Sequence, residues 1–459
     1  MREDVLPLVP WFVAALAAGL TTSWVEKHFI GARGAAFDVP LVDRVLLAAR
    51  VLWHYAITAL WPGNLMFFYP SWNASLPGAI EWIAVATALA VTVALWLLRR
   101  RMRGPLAAWL LFAGGLFPAL GFFDVYPFKF SYVADHFQYL PDLSVFMLLG
   151  YGFAISVRHS RRIAVALGAV VAIVLMAISR LQAALYIDNE TLFRATLARN
   201  PSSWEAHNII GAALRDQDRS DDAIAEFQTA IRLGPNEAYA HLALGAELAK
   251  QPGKRLEAIA EMRRAITLRP TYAEAYNALG IEMQAQGDIS GAKEHFATAI
   301  KLDPRLAEAH VNLGLLYEKL PDRAGDAMSE FEAAIRVRPY YAPAHAHLAN
   351  MLIRSHNLQG AIQHFRVAVQ ADPAVAWMHR NLAMALAQIP TELPEAIDEC
   401  EKAVRLDPRD VESHNALGIL YAERGALERA RSEWLEALKL DPNNEAVRRN
   451  LVRLNQTAP

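Results

Sequence analysis

The chain has 459 residues, 54% of them hydrophobic, with one cysteine and a formal net charge of −2. That length implies two or three units rather than one core. The charge lacks the basic stripe of a nucleic-acid binder, and a lone Cys400 excludes a disulfide framework and a cysteine metal cage. The balance is uneven along the chain: residues 1–187 carry 14 Lys+Arg against 9 Asp+Glu, and residues 188–459 carry 31 against 38. An apolar, mildly basic part therefore precedes a charged, mildly acidic one.

Six apolar stretches occupy the first part, roughly 5–25, 41–61, 80–98, 105–123, 142–157 and 163–180. A membrane-crossing helix needs about 20 apolar residues, which the third, fourth and sixth supply. The sequence predicts a polytopic transmembrane helix bundle of about six spans over 1–187. The first stretch reads as a span rather than a cleaved signal, since Arg2 is followed by Glu3 and Asp4 and the apolar run is broken by Pro7 and Pro10. Arg99, Arg100, Arg101 and Arg103 follow the third stretch, and Arg158, Arg161 and Arg162 follow the fifth. Two spans separate these loops, so both lie on one side, cytoplasmic by the positive-inside rule. Loops 62–79 and 124–141 then face outward, and the last span carries the second half out. The expected setting is a bacterial inner membrane with that half in the periplasm. Within the second stretch, Asp43, Arg50 and His54 share one helical stripe. Ionisable residues at membrane depth line a bundle interior or aqueous cavity; the alternative is a stretch lying at the interface.

After a junction helix at 188–200, prolines recur at 201, 235, 270, 304, 339, 373, 408 and 442, with alternating spacings of 34 and 35. A fixed period of this length marks helix–turn–helix repeats. Each unit has Ala twelve residues before its closing proline (Ala223 to Ala430) and again five before it (Ala230 to Ala437). Eight before it stands a large residue: Phe227, Met262, Phe296, Phe331, Phe365, Cys400 or Trp434. Small residues allow close helix approach, the large residue fills the angle, and proline ends the second helix. The extra residue of alternate units falls in the turns at Pro252, Pro321 and Pro390, 69 apart. The pattern resembles the tetratricopeptide (TPR) family. It covers 201–441 as about seven repeats of an α-solenoid, with a capping helix at 442–459, so the fold class is all-α.

The resemblance implies a protein or peptide client on the first-helix face of the repeats. Its groove positions fall on Asn208, Asn277, Arg380 and Asn415, and on Arg215, Gln284 and Glu318. A carboxamide holds both N–H and C=O of an extended peptide, and Arg380 suits a carboxylate. Leu242, Val311, Ala346 and Met384 make the groove mixed. Six units carry His in the first helix, at 207, 241, 310, 345, 379 and 414, with Tyr276 in the remaining one. Packed helices lie about 8–10 Å apart and zinc needs nitrogens at about 2.0–2.1 Å, so successive units cannot share an ion. No metal is expected, and these rings read as half-buried aromatic fillers between units.

Two stretches of the first part carry a second resemblance: Arg44-Val-Leu-Leu through Tyr55 to Trp61-Pro62-Gly63-Asn64-Leu65 and Tyr69-Pro70, and Ala134-Asp135-His136-Phe137-Gln138-Tyr139-Leu140-Pro141. Both resemble the transmembrane-and-TPR O-mannosyltransferase family of GT-C glycosyltransferases and its bacterial relatives. That resemblance implies a polyprenyl-phosphate sugar donor and singles out Asp135, His136 and Arg44 as catalytic candidates. His136 stands where that family has Arg. The family's catalytic carboxylates lie in its first outward loop, and here only Arg2, Glu3 and Asp4 precede the first apolar stretch. The first part therefore matches the rear of such a domain, whose front a partner subunit would supply. Two readings follow: a scaffold anchored by membrane lipid, or a GT-C-type protein O-glycosyltransferase whose repeats present the acceptor. The scaffold is the primary reading, because the acidic pair that would separate the two is missing.

Overall fold

The structure is a computed structural model. It describes residues 13, 17, 20, 21, 24, 25, 39–63, 65, 66, 68, 69, 78–120 and 133–457. Most of the first apolar stretch lies outside the described residues, as do Arg2, Glu3, Asp4, Asn64, Pro70, Trp72 and Asp124. Every regular element among the described residues is helical. Internal contacts divide the chain into two compact units, Met1–Asn236 and Glu237–Pro459.

The first unit contains α1 (Leu41–Leu60), α2 (Ala79–Leu98), α3 (Gly104–Leu116), α4 (Asp142–His159), α5 (Arg161–Ala183) and α6 (Asn189–Arg199), then the first repeat, α7 (Trp204–Asp216) and α8 (Ser220–Leu233). Its core gathers Leu47, Val51, Leu52 and Tyr55 of α1 with Phe112 and Leu116 of α3. Only α2 and Arg161–Tyr186 are long and apolar enough to cross a membrane among the described residues. The six expected spans are thus not displayed as six such helices. The stretch 105–123, expected to qualify, ends as an α-helix at Leu116 and continues as a 3-10 turn over Phe117–Ala119. Pro118 supplies no N–H to prolong the α-helical ladder. Helix α1 carries three charged residues, Asp43, Arg44 and Arg50, and buries one side along Leu47, Val51 and Tyr55.

The second unit contains six helix pairs and a last helix. They are α9 (Ala238–Lys250) with α10 (Arg255–Leu268), α11 (Ala273–Ala285) with α12 (Ile289–Leu302), and α13 (Ala307–Glu318) with α14 (Ala324–Val337). There follow α15 (Ala342–Arg354) with α16 (Leu358–Ala371), α17 (Ala376–Leu386) with α18 (Leu393–Leu406), α19 (Val411–Glu423) with α20 (Leu427–Leu440), and α21 (Glu445–Thr457).

The repeated small and large residues make these pairs. Both alanines of every second helix are at 0% exposure, and the large residue between them is at 4% or less. At Gly280 of α11, a Cβ would stand 2.6 Å from Cε1 of Phe296, so only glycine admits the ring there. The residue before each proline leaves the helical region, as Asp303 does at φ −134°, ψ 95°, because the proline ring disfavours a helical predecessor. Turns within a unit come in two kinds. The short ones place one left-handed residue at an equivalent position: Asp218 (φ 58°), Gly287 (85°), His356 (61°) and Gly425 (80°). The longer ones run over 251–254, 319–323 and 387–392, and hold Pro252, Pro321 and Pro390. Within the second unit, the first helices of successive pairs pack on one another more closely than the second helices do. That puts the first helices on the inner side.

Candidate functional site

The residues of the α1 polar stripe have different partners. Nη1 of Arg50 donates to Oε1 of Glu81 at 2.7 Å, at the start of α2. Nε of Arg44 donates to the Val39 carbonyl at 2.9 Å. His54 meets Tyr69 edge-on at 4.9 Å, and Asp43 is half-buried one turn from the helix start. Asp135 and His136 lie in a short 3-10 helix, Asp135–Gln138; their side chains are outside what is described. The two motif stretches meet at Tyr55, which is fully buried. Its hydroxyl donates to the Ala134 carbonyl at 3.1 Å and accepts from the Ala134 N–H at 2.9 Å. Nothing in the residue spacing announces that link. The junction helix α6 is tied to the first motif as well: Arg199 donates to the Leu65 carbonyl at 2.8 Å, and Phe193 meets Phe68 at 5.7 Å.

In five of the seven units the histidine forms a bridge to the unit's own second helix rather than a filler between units. Nδ1 of His207, His241, His310, His379 and His414 meets Glu226, Glu261, Glu330, Glu399 and Glu433 of the second helix at 2.6–2.7 Å. Nε2 of His310, His379 and His414 meets the carbonyl of its unit's opening proline at 3.1–3.2 Å. A carboxylate and a carbonyl are both acceptors, so each of these three rings lies between two acceptor oxygens of its own unit. His345 keeps the bond to Pro339 at 2.9 Å but faces His364 at 2.8 Å; burial and then His345 push the His364 pKa down. In α21, Arg448 takes the ring's place and donates to the Pro442 carbonyl at 2.5 Å. Each Glu immediately precedes the large residue of its second helix. This periodic signal was readable and identifies a structural clamp.

The groove residues have partners of their own. Nδ2 of Asn312 donates to Oδ1 of Asn277 at 2.9 Å, and Nδ2 of Asn450 to Oδ1 of Asn415 at 3.0 Å. A third pair, Asn381 to Asn350 at 3.2 Å, escaped the sequence reading. All six amides are half-buried on first helices or on α21. Arg380, read as a carboxylate receptor, already holds Asp410 at 2.5 Å. Glu318 holds Arg354 at 2.9 Å, Arg215 lies 3.2 Å from Asp216, and Gln284 is half-buried. Asn208, in the first unit, is at 4% exposure, so its amide is not offered to a client. His347 stacks on Phe331 at 5.6 Å and lies 5.5 Å from Trp377. Burial lowers its pKa against the opposing pull of Glu318.

Family profiles described as "Tetratricopeptide repeat" match residues 174–238, 322–376 and 391–445, and one described as "TPR repeat" matches 282–320. Stress-induced-phosphoprotein 1 of Caenorhabditis elegans is 24% identical over 184 residues, 38% of this chain and 53% of that protein. The Hsp70-Hsp90 organizing protein of Triticum aestivum is 24% identical over 139 residues, 29% of this chain and 24% of that protein. The chain thus spans about half or less of these relatives. Among solved structures, the APC/C hetero-tetramer Cut9-Hcn1 aligns at 19% identity with a TM-score of 0.49, covering 58% of this chain and 52% of that one. Period, helix packing and profile agree: this chain carries tetratricopeptide repeats.

Proposed function

We propose that the protein is a membrane-anchored scaffold that holds an extended protein or peptide segment on the first-helix face of its repeats. The observation that carries this reading is the set of three cross-bonded asparagine pairs. Each pair spends one N–H and one carbonyl on itself, which fixes both amides and leaves donors and acceptors for an incoming main chain. Preorganised amides lose less on binding than free ones. Similarity to a protein named Hsp70-Hsp90 organizing protein is in keeping with a scaffold. Anchoring is supported by α2 and Arg161–Tyr186, whose most apolar windows are 0% and 6% buried and so need an apolar surrounding. The test places a photo-crosslinking residue at Ile281, exposed on the inner face, or at Leu256, exposed on the second helix α10. Crosslinks should form from 281 and weaken roughly thirtyfold in Asn277→Ala/Asn415→Ala, since each lost hydrogen bond is worth about 1 kcal/mol. Equal crosslinking from 256 would remove the groove from the account.

The bond between Tyr55 and Ala134 favours a second reading, since it unites the two stretches that resemble the O-mannosyltransferases. In that reading the repeats present an acceptor to a polyprenyl-phosphate sugar. Sugar transfer by the purified chain, abolished by Asp135→Asn, would make this the primary function.

A further inference from the structure

Outside the repeats, the turn between α2 and α3 and the turn between α4 and α5 carry seven arginines, at 99, 100, 101, 103, 158, 161 and 162. No Asp or Glu occurs at 82–123 or 143–187 to offset them. Helices α3 and α4 run antiparallel: Gly115, near the end of α3, abuts Pro141 just before α4, while Ile155, near the end of α4, lines a cleft with Arg101 and Arg103. The cleft encloses ≈ 580 Å³. Gly104, Ala107 and Ala108 keep its α3 side open, and Leu111, Met147 and Tyr151 form its walls. The three wall residues are 66%, 71% and 68% exposed, so protein does not fill the space they border. From Arg103 to Leu111 the cleft follows eight residues of helix, about 12 Å at 1.5 Å per residue. That is a little under half of a hydrocarbon core about 30 Å thick, the depth of one leaflet.

We propose that this cleft binds an anionic glycerophospholipid, with the headgroup phosphate at Arg101 and Arg103 and one acyl chain along Leu111, Met147 and Leu148. Charge complementarity selects the headgroup: an arginine fork matches phosphate oxygens bidentately. The apolar walls select a tail over a soluble anion. The site rests on the membrane-anchored reading, and its test keeps the two apart. The full chain is purified in neutral detergent and examined by native mass spectrometry with added phosphatidylglycerol or phosphatidylcholine. Phosphatidylglycerol adducts should persist at roughly tenfold lower lipid concentration, the scale expected for two arginines near a headgroup. Arg101→Gln with Arg103→Gln should erase the preference, and Ala108→Phe should remove adducts of both lipids by filling the cleft. Should the double variant misfold, Arg103→Gln alone gives the same readout. Equal adducts of both lipids on the unaltered chain, or full competition by millimolar glycerol 3-phosphate, would overturn the site. Alkaline carbonate extraction of membranes separates the outcomes. A chain that stays in the membrane but lacks lipid preference loses only this site, whereas a chain that washes off loses the anchor as well.

Discussion

The clamp in the sixth repeat can be measured through the one native thiol. Cys400 follows Glu399 directly, is at 0% exposure, and its pKa is pushed up to about 12 by burial. A thiol reagent therefore reaches it only when this repeat opens. His379→Ala removes the 2.6 Å bond to Glu399, whose side chain is 11% exposed, and the 3.1 Å bond to the Pro373 carbonyl. A hydrogen bond to a charged group is worth about 1.5–3 kcal/mol and a neutral one about 1 kcal/mol. Lys402 stays on Glu399 at 2.5 Å and tempers the loss, so a net cost of about 2 kcal/mol is expected from those magnitudes. Under fast-reclosing conditions that cost appears as roughly thirtyfold faster labelling by 5,5′-dithiobis(2-nitrobenzoate). His207→Ala removes the equivalent bond in the first unit and should leave the rate within about a factor of two, as distant sites act independently. Unchanged labelling in His379→Ala, or equal acceleration in His207→Ala, would refute the local clamp.

Acid should act on the same clamp. Burial would raise the Glu399 pKa, but Lys402 and His379 overcome it and leave the group below the ordinary carboxylate value. A depressed carboxylate adds stability above its unfolded value and loses it as the pH falls through the lower folded one. The urea midpoint should hold from pH 8 to 6 and drop in the acid range below the ordinary Glu value; Glu399→Gln should lessen that drop, as a urea series across pH would show. For close approach, Gly280→Ala forces a methyl into Phe296. Overpacking costs about 1–3 kcal/mol and the gain in helix propensity returns about 1 kcal/mol, so the urea midpoint should fall. Gly325→Ala in α14 meets nothing within 4 Å and should leave the midpoint equal or higher.

How far the fold could be read depended on the range of the contacts. Alanine, the large residue and proline sit at fixed offsets within one helix pair, so the burial of the first two and the helix end at the third follow from the period alone. The Glu that precedes the large residue repeats just as regularly. Its pairing with the histidine runs to the facing helix of the same unit, 19 or 20 residues on, and a comparison of equivalent positions in successive units does not display it. Arg380 illustrates the opposite limit. Its partner Asp410 lies 30 residues away in the next unit, a pairing set by how units stack and not by any local pattern. Tyr55 and Ala134 are 79 residues apart and show the same limit in the first unit. Pro118 was a local signal overlooked in favour of hydropathy.

The clamp has a mechanical consequence. The rings of His310, His379 and His414 each close on a carboxylate and a proline carbonyl of their own repeat, so this polar bond links two helices of one repeat. Between successive pairs within the second unit, the joints combine apolar packing, which is non-directional and tolerates sliding, with partly exposed polar links such as Asn312–Asn277, Arg380–Asp410 and Arg366–Glu395. Hydrogen bonds, by contrast, weaken steeply once their angle is lost. Pulled from its ends, the second unit should lengthen first as a spring, the angle between neighbouring pairs widening while each pair stays latched. A client threaded along the inner face would then feel a groove whose pitch adapts to its length, with the fold of each repeat kept out of the exchange.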